Sequence, residues 1–286
     1  MDVQTSLYGP ALQAKEADTP HPQSMPSMRT RIGRRARRDF IRATRTPFMS
    51  RSDRTLIVLC THHKTGGVWF RQVLLSITRP YGLRNQYVAT DPIRRGTDFV
   101  FARVEELDRG LLEQRSFRGV HVIRDPRDMV VSGYEYHKRT QEPWCLMPDP
   151  QFGGISYQEF LRSVDEHEGL MAEITWVAHH SAAAMAAWSY DQPEFLELHY
   201  EDAIADEHRV FEQVFRWLHL NDTAIQMGME AVDRLTLKRG GAVPNHGRSG
   251  KPGEWRERLA PDHIAHFKDL MGDLVVRTGY ETSPDW

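Results

Sequence analysis

Thr55-Leu-Ile-Val-Leu-Cys-Thr61 is a continuous apolar run, followed by a polar turn at 62–67 and by residues 68–77, whose apolar side chains recur at helical spacing. A strand that is apolar at every position is typical of a parallel sheet buried on both faces. Strand, tight turn and helix in this order predict the first unit of an α/β domain.

The same alternation recurs downstream. Residues 98–102, 119–123 and 195–199 have strand patterns, and helices are predicted after 126 and 157 and at 170–190, 206–218, 223–232 and 261–279. Asp125 and Pro126 suit the start of one helix, and Ser156 with Glu159 forms a capping-box spacing before another. Alternating strands and helices imply right-handed crossovers. We therefore predict fold class α/β, as a single three-layer domain over 55–286 with a central, mainly parallel sheet.

Charge is unevenly distributed along the chain. The 286 residues carry 37 Lys and Arg against 39 Asp and Glu, a net charge of −2. Residues 1–54 hold 11 positive and five negative side chains, so they carry +6 and the remainder −8. Low apolar content predicts that 1–54 is a flexible basic N-terminal arm, either simply solvated, which we favour, or in weak contact with an anionic surface.

Several features bear on the compartment. No run of 18 apolar residues offers a transmembrane segment, and two cysteines are too few for a disulfide framework. Arg37-Arg38-Asp39-Phe40-Ile41-Arg42 is similar to a twin-arginine export signal, but charged residues and Pro47 interrupt the apolar segment that such a signal needs. We expect a cytoplasmic protein, and the oligomeric state stays open.

Three segments carry chemistry. Thr61-His-His-Lys-Thr-Gly-Gly-Val-Trp69 follows a strand and opens a helix, so paired glycines and the helix N-terminus can cradle an anion beside Lys64. Its lysine precedes the glycines, so it is not a Walker A loop. Arg124 and Ser132 flank a strand end and can hold a phosphate, unless Arg124 simply pairs with Asp128. Arg248-Ser-Gly-Lys-Pro-Gly-Glu-Trp-Arg256 is a basic loop that can close over an anion or remain a mobile surface loop.

Together these segments resemble the sulfotransferase superfamily that uses 3′-phosphoadenosine 5′-phosphosulfate (PAPS), most closely its cytosolic type. The first is similar to the family's 5′-phosphosulfate loop, [YF]-P-K-[ST]-G-T-x-W, the second to R-[ND]-P-[KR]-D-x-x-x-S, and the third to R-K-G-x-x-G-[DE]-W-[KR]. Phe195-Leu-Glu-Leu-His-Tyr-Glu-Asp202 resembles the family's strand ending in Tyr-Glu-Asp. Any one of these motifs can arise by chance. Four of them in order, spread over nearly all of 55–279, make the resemblance to this family specific.

The resemblance implies a role for each matching residue. Lys64 would bind the bridging oxygen of the donor and stabilise the leaving phosphate, so no metal is needed. The P-loop-like strand–loop–helix unit would bind the 5′-phosphosulfate and adenine, and the later motifs the 3′-phosphate and adenine. The implied donor-binding residues are Lys64, Thr65, Gly66, Gly67, Val68, Trp69, Arg124, Ser132, Tyr200, Arg248, Ser249 and Gly250. PAP, the desulfated donor, would be the product.

The chain departs from the family pattern in several places. His62-His63 replace an aromatic–proline pair, Gly67 replaces a threonine, and Ser249 replaces a lysine. The catalytic histidine of the cytosolic enzymes has no counterpart near 99–106. Four residues remain as candidates for the general base: Glu105, Asp91, His63 and His137. The family's C-terminal dimer signature is also not matched.

Aromatic residues after the second motif predict an apolar or aromatic small-molecule acceptor that presents a hydroxyl or, less favoured, an amine; these residues are Tyr134, Tyr136, Trp144, Phe152, Tyr157, Trp176 and Trp188. Two alternatives stay open. One is a P-loop-like kinase that uses ATP, and the other is a non-catalytic module that binds PAP or another nucleotide.

Overall fold

A five-stranded, wholly parallel sheet organises the computed structural model, which describes residues 55–87, 92–107, 110, 112, 116–236 and 250–286. The strands are β1 (Leu56–Thr61), β2 (Asn85–Tyr87), β3 (Phe99–Arg103), β4 (Phe117–Ile123) and β5 (Phe195–His199). Their order is β2-β3-β1-β4-β5. The first strand therefore lies at the centre, pairing with β3 from Ile57 to Thr61 and with β4 from Leu56 to Thr61.

Helices flank this sheet. They are α1 (Gly67–Thr78), α2 (Pro126–His137), α3 (Pro143–Leu146), α4 (Tyr157–Ser163), α5 (Glu166–Val177), α6 (Ala183–Ala187), α7 (Tyr200–Ala205), α8 (Glu207–Trp217), α9 (Asp222–Leu235), α10 (Trp255–Arg258) and α11 (Pro261–Arg277). As predicted, the Asp125 carboxylate caps α2 by accepting from the Arg127 N–H, and Pro126 is its first residue. The Ser156–Glu159 capping box at α4 is also present.

The buried side chains of β1 alternate between the two faces of the sheet. Ile57 and Leu59 pack with residues of α1, α8 and α9, whereas Leu56, Val58 and Cys60 pack on the other face with Trp188 and Phe195. A separate apolar cluster joins α2, α4, α5 and α11. The described residues thus form the predicted α/β architecture, with helices on both faces of the sheet.

Several details differ from the sequence-based expectation. β2 was not predicted, because Asn85-Gln86-Tyr87 at the sheet edge is short and has a single buried side chain. The helix predicted over 170–190 is present but not uniform: α5 gives way at Ala178–Ala182 to a π-helical turn, and α6 ends at Ala187. Within the segment predicted as a basic loop over 248–256, the short α10 begins at Trp255.

Two further features concern the chain as a whole. None of the described helices is both long and apolar enough to cross a membrane. Cys60 and Cys145 are buried, and neither forms a disulfide within the part of the chain that the structure describes. The basic arm over 1–54 lies outside the described residues.

Candidate active site

The loop between β1 and α1 is the centre of the site, and two left-handed residues shape it. Lys64 has φ 64° and Gly66 has φ 84°. Thr65 is fully buried, and its hydroxyl donates to the His62 carbonyl while accepting from the His62 N–H. Alternating backbone conformations of this kind turn successive N–H groups toward one point, which is an anion-binding arrangement next to a helix N-terminus.

Both glycines of this loop are required by close neighbours. A Cβ at Gly66 would lie 2.8 Å from the Tyr200 ring, and one at Gly67 would lie 2.5 Å from the Thr61 hydroxyl oxygen. The Thr61 side chain therefore occupies the space that a larger residue at 67 would need. This contact gives a physical reason for glycine at position 67, where the sulfotransferase pattern has threonine.

Arg124 lies at the carboxyl end of β4 and faces this loop. Its Nη1 donates to the Lys64 carbonyl at 3.2 Å, and its guanidinium lies 4.8 Å from the centre of the Tyr200 ring. The buried Nε of Arg124 has no hydrogen-bond partner among the residues that the structure describes. A buried guanidinium with an unused donor is costly, so the position suits an additional anionic acceptor.

Tyr200 and Asp128 connect the late glycine-rich segment to this site. The Tyr200 hydroxyl donates to the Gly250 carbonyl at 2.9 Å. The Asp128 carboxylate accepts from the backbone N–H groups of Gly253 and Trp255 at 2.6 and 3.1 Å. Asp128 therefore anchors the segment that begins at Gly250, rather than being reserved for Arg124.

The ammonium group of Lys64 is held close to other cations and to an aromatic face. Its Nζ lies 3.9 Å above the centre of the Tyr136 ring. Burial, followed by the charge of Arg124, lowers the pKa of Lys64 to about 7, while Glu142 opposes the shift. An anionic ligand would favour the protonated lysine, so binding and proton uptake are coupled here.

A histidine pair lies next to this lysine. The Nε2 atoms of His63 and His137 are 3.1 Å apart, and His137 Nδ1 lies 2.9 Å from Glu173 Oε2. The Tyr157 hydroxyl donates to the same carboxylate oxygen. Burial, reinforced by His137 and Lys64, holds the pKa of His63 well below its ordinary value, so the ring is neutral near pH 7.

A second histidine pair faces the other side of the loop. His62 Nε2 lies 2.9 Å from His121 Nε2, and His121 Nδ1 lies 2.5 Å from Glu197. Glu105 lies 3.3 Å from His62 Nδ1 and accepts from the His63 backbone N–H. Burial by itself would raise the pKa of Glu105, but His62, hydrogen bonds and Arg103 outweigh it and lower this pKa to about 2.

The remaining sequence-predicted residues are distributed as follows. Val68 is half-buried in the first turn of α1, and Ser132 is half-buried in α2. Trp69 packs in the core against Phe70 and Phe211, with ring centres 5.3 and 5.0 Å away. Arg248, Ser249 and the base candidate Asp91 lie outside the described residues.

Aromatic side chains surround His63 and His137. Trp144 and Trp176 stack with ring centres 5.2 Å apart, and Trp176 lies 5.4 Å from His63. Glu142 accepts hydrogen bonds from Tyr136 and Trp144 and so ties two of these rings together. Trp188 stacks on His121, with ring centres 3.9 Å apart, and packs with Phe195.

Sequence reasoning missed two functional candidates, Glu173 and the pairing of the histidines. A signal for Glu173 was present, because it falls at helical spacing among Leu170, Ile174 and Val177 on the apolar side of α5. A carboxylate on an apolar stripe is rare unless it has a partner. The histidine pairing had no local signal, since 74 positions separate His63 from His137.

Solved structures with the same fold include mouse sulfotransferase SULT7A1 complexed with PAP. It is 17% identical, with a TM-score of 0.52, over 79% of this chain and 86% of that chain. Retinol dehydratase in complex with androsterone and inactive cofactor PAP is 17% identical, with a TM-score of 0.46, over 79% and 82% of the two chains. The sulfotransferase domain from the curacin biosynthetic pathway is 9% identical, with a TM-score of 0.42, over 79% and 98%. The likeness to the mouse protein confirms the predicted α/β fold.

The family assignment comes from the sequence itself. Residues 106–279 match the family model described as the sulfotransferase domain, a span of well over half of the chain. It includes the second motif, β5 with the Tyr200 that follows it, and the late glycine-rich segment. The chain therefore belongs to the sulfotransferase domain family, and it is a sulfotransferase, as its four ordered motifs predict.

Proposed function

We propose that this sulfotransferase moves the sulfuryl group of PAPS to a hydroxyl group, or less favourably an amine, of a small apolar or aromatic molecule. One observation carries the donor assignment. The left-handed Gly66 cradle, the Lys64 ammonium and a buried Arg124 guanidinium with an unused Nε meet at the carboxyl ends of β1 and β4. This edge of a parallel sheet is where ligands bind in open α/β folds.

The residues present fit a donor that carries several negative charges. Lys64 and the backbone over 65–68 would hold the 5′-phosphosulfate end, and Trp69 would pack on the adenine. Arg124 with Ser132 would hold the 3′-phosphate. Tyr200 would contact the adenine, and Arg248, Ser249 and Gly250 would close over the ligand. A metal ion has no assigned role in this scheme, because Lys64 supplies the positive charge.

The donor supplies an activated sulfuryl group when bound, and the chain supplies position and charge. Sulfuryl transfer resembles phosphoryl transfer, in which an in-line displacement is accelerated by orientation and by stabilising charge on the leaving oxygen. The bound anion favours the protonated form of Lys64, and the ammonium group then stabilises the negative charge on the leaving oxygen. The aromatic side chains around His63 exclude water and favour an apolar acceptor.

Calorimetry with PAP and with ADP tests the donor assignment. We expect PAP to bind about 10- to 100-fold more tightly, since charge-assisted hydrogen bonds to the 3′-phosphate contribute roughly 1.5–3 kcal/mol. Arg124→Gln should remove most of this preference. Arg118→Gln is the matched control, because Arg118 lies near the other end of the same strand, against Trp217.

Equal affinity for ADP and PAP would overturn the donor assignment and favour a kinase. A second assay follows the transfer of labelled sulfate from PAPS to pooled hydroxylated metabolites. PAP binding without any transfer would instead favour the non-catalytic module.

A further inference from the structure

Glu173, His137 and His63 form a buried chain that ends beside Lys64. His137 and Glu173 are fully buried, whereas His63 keeps 8% of its surface exposed. The chain joins α5, α2 and the β1–α1 loop, with contacts of 2.9 Å from Glu173 to His137 and 3.1 Å from His137 to His63. It therefore runs from the core to the residue that directly precedes Lys64.

Hydrogen-bond chemistry fixes the direction of this chain. With an ionised Glu173 and a neutral ring at His137, the hydrogen bonds require His137 to donate from Nδ1 and to accept at Nε2. His63 must then donate from its own Nε2, and its lone pair lies on Nδ1. Among the described residues, the His63 ring forms its hydrogen bond with His137 alone.

The burial of Glu173 is costly. Its carboxylate has 0% exposure, accepts from Tyr157 and His137 through Oε2, and has no partner for Oε1 among the described residues. Gly133 leaves room for Oε1, since a Cβ there would lie 2.2 Å from it. An apolar residue would fill this site at less cost, so a carboxyl group here suits a role beyond packing.

Tyr136 connects the end of this chain to the reacting centre. Its ring contacts Lys64 Nζ at 3.9 Å and the His63 ring at 5.4 Å between centres. We propose that Nδ1 of His63 is the general base for the acceptor, and that His137 and Glu173 are positioning residues that fix its tautomer. This inference rests on the proposed function.

The proposed step moves one proton and one sulfuryl group. The acceptor O–H proton passes to His63 Nδ1 while the acceptor oxygen bonds to sulfur. The electron pair of the broken S–O bond stays on the phosphate oxygen, whose charge Lys64 neutralises. The imidazolium so formed is stabilised through His137 by the carboxylate of Glu173, and the proton later passes to water.

The other base candidates suit the step less well. His137 is fully buried and cannot touch an acceptor. Glu105 already accepts from the His63 N–H, and a carboxylate whose pKa is about 2 is a poor proton acceptor. Asp91 lies outside the described residues.

Nitrogen-15 NMR of the histidine rings in the free protein tests the chain without any turnover. We expect His137 to carry its proton on Nδ1 and His63 to carry its proton on Nε2, with His63 Nδ1 bare from pH 6 to 8. The titratable and charged groups that face His63 are His137, Lys64, Arg103 and His180. The opposite tautomers would overturn the proposal, whatever the donor is.

Kinetics of Glu173→Gln provide the second arm. We expect kcat to fall about 100-fold with an aliphatic alcohol, the usual size of a general-base contribution, with KM and PAP affinity unchanged. The loss should shrink with an acidic phenol, which needs little help in losing its proton. The acidic limb of the pH profile should also move to lower pH, because the imidazolium loses a stabilising charge.

Glu197→Gln is the matched control, since Glu197 pairs in the same way with a buried histidine, His121, outside the Glu173–His137–His63 chain. It should leave the rates and the pH profile unchanged. An equal loss on both acceptors in Glu173→Gln, or no loss, would overturn the relay while wild-type turnover still supports the proposed function. Failure of wild-type transfer with the expected tautomers would instead count against the proposed function.

Discussion

Lys64 combines three features at one residue: a left-handed backbone, a half-buried side chain and a neighbouring guanidinium. A protonated lysine in such a place is held at a cost, which an anionic donor relieves. In this arrangement the free lysine loses its proton easily, and a bound anion favours its protonated form. Its position therefore links donor binding to the charge that the reaction needs.

This linkage predicts a pH dependence. The pKa of Lys64 in the free enzyme is about 7, so kcat/KM for the donor should fall as pH rises through 7, by about tenfold per unit. The charges that face it are Arg124, Glu142, Arg139 and Glu173. The corresponding decrease in kcat should occur at higher pH, because the bound donor favours the protonated lysine. Initial rates from pH 5.5 to 9 measure both.

Lys64→Arg is the control for this limb. An arginine keeps its charge over the whole range, so the decrease in kcat/KM above pH 7 should disappear even if the rate is lower. If kcat/KM falls above pH 7 in Lys64→Arg as it does in the wild type, another group is responsible for the decrease.

At this scale, the sequence predicts residues whose chemistry is local. The pairing of Lys64 with glycines and the position of Arg124 after a strand follow from neighbouring residues. The relay does not, since Glu173, His137 and His63 lie 36 and 74 positions apart along the chain. Only the fold brings them together.

Among the elements, the β1–α1 loop depends most on a single side-chain contact. Gly66→Ala places a methyl group at φ 84° and 2.8 Å from the Tyr200 ring. Gly153→Ala is a matched control, because Gly153 has φ 69° and a Cβ added there would meet nothing within 4 Å. Both should lose about 1–2 kcal/mol of unfolding free energy from backbone strain.

Only Gly66→Ala should also weaken PAP binding, by about tenfold, because the displaced Tyr200 no longer holds Gly250. Thermal denaturation and calorimetry on both variants separate the two effects. Equal PAP affinity in the two variants would contradict the role given to Tyr200.

The elements that the sequence predicts best are those with an unambiguous pattern. β1 is apolar throughout, and α11 begins at a proline and ends just before Gly279. β2 lacks such a pattern. It is a strand because it pairs with β3, and its own composition does not predict one. The π-helical turn at Ala178–Ala182 interrupts an alanine-rich stretch whose local propensity is helical throughout.

On the scale of the whole molecule, the positive charge of the arm and the negative charge of the remainder lie in separate parts of the chain. The residues proposed for the site all lie between 61 and 250. Deleting residues 1–54 should therefore leave PAP affinity and transfer rates within about twofold of wild type. Calorimetry and the labelled-sulfate assay measure this, and a tenfold loss would give the arm a part in catalysis.

The central place of β1 has a consequence for biosynthesis. Both of its partners, β3 and β4, emerge from the ribosome later, the second ending roughly 60 residues after Thr61. At about 5–20 residues per second, an apolar strand with two open edges waits for about 3–12 seconds before it can pair fully. Chaperone demand and aggregation during synthesis should concentrate in this interval, and the loop that holds Lys64 acquires its shape only when the interval ends.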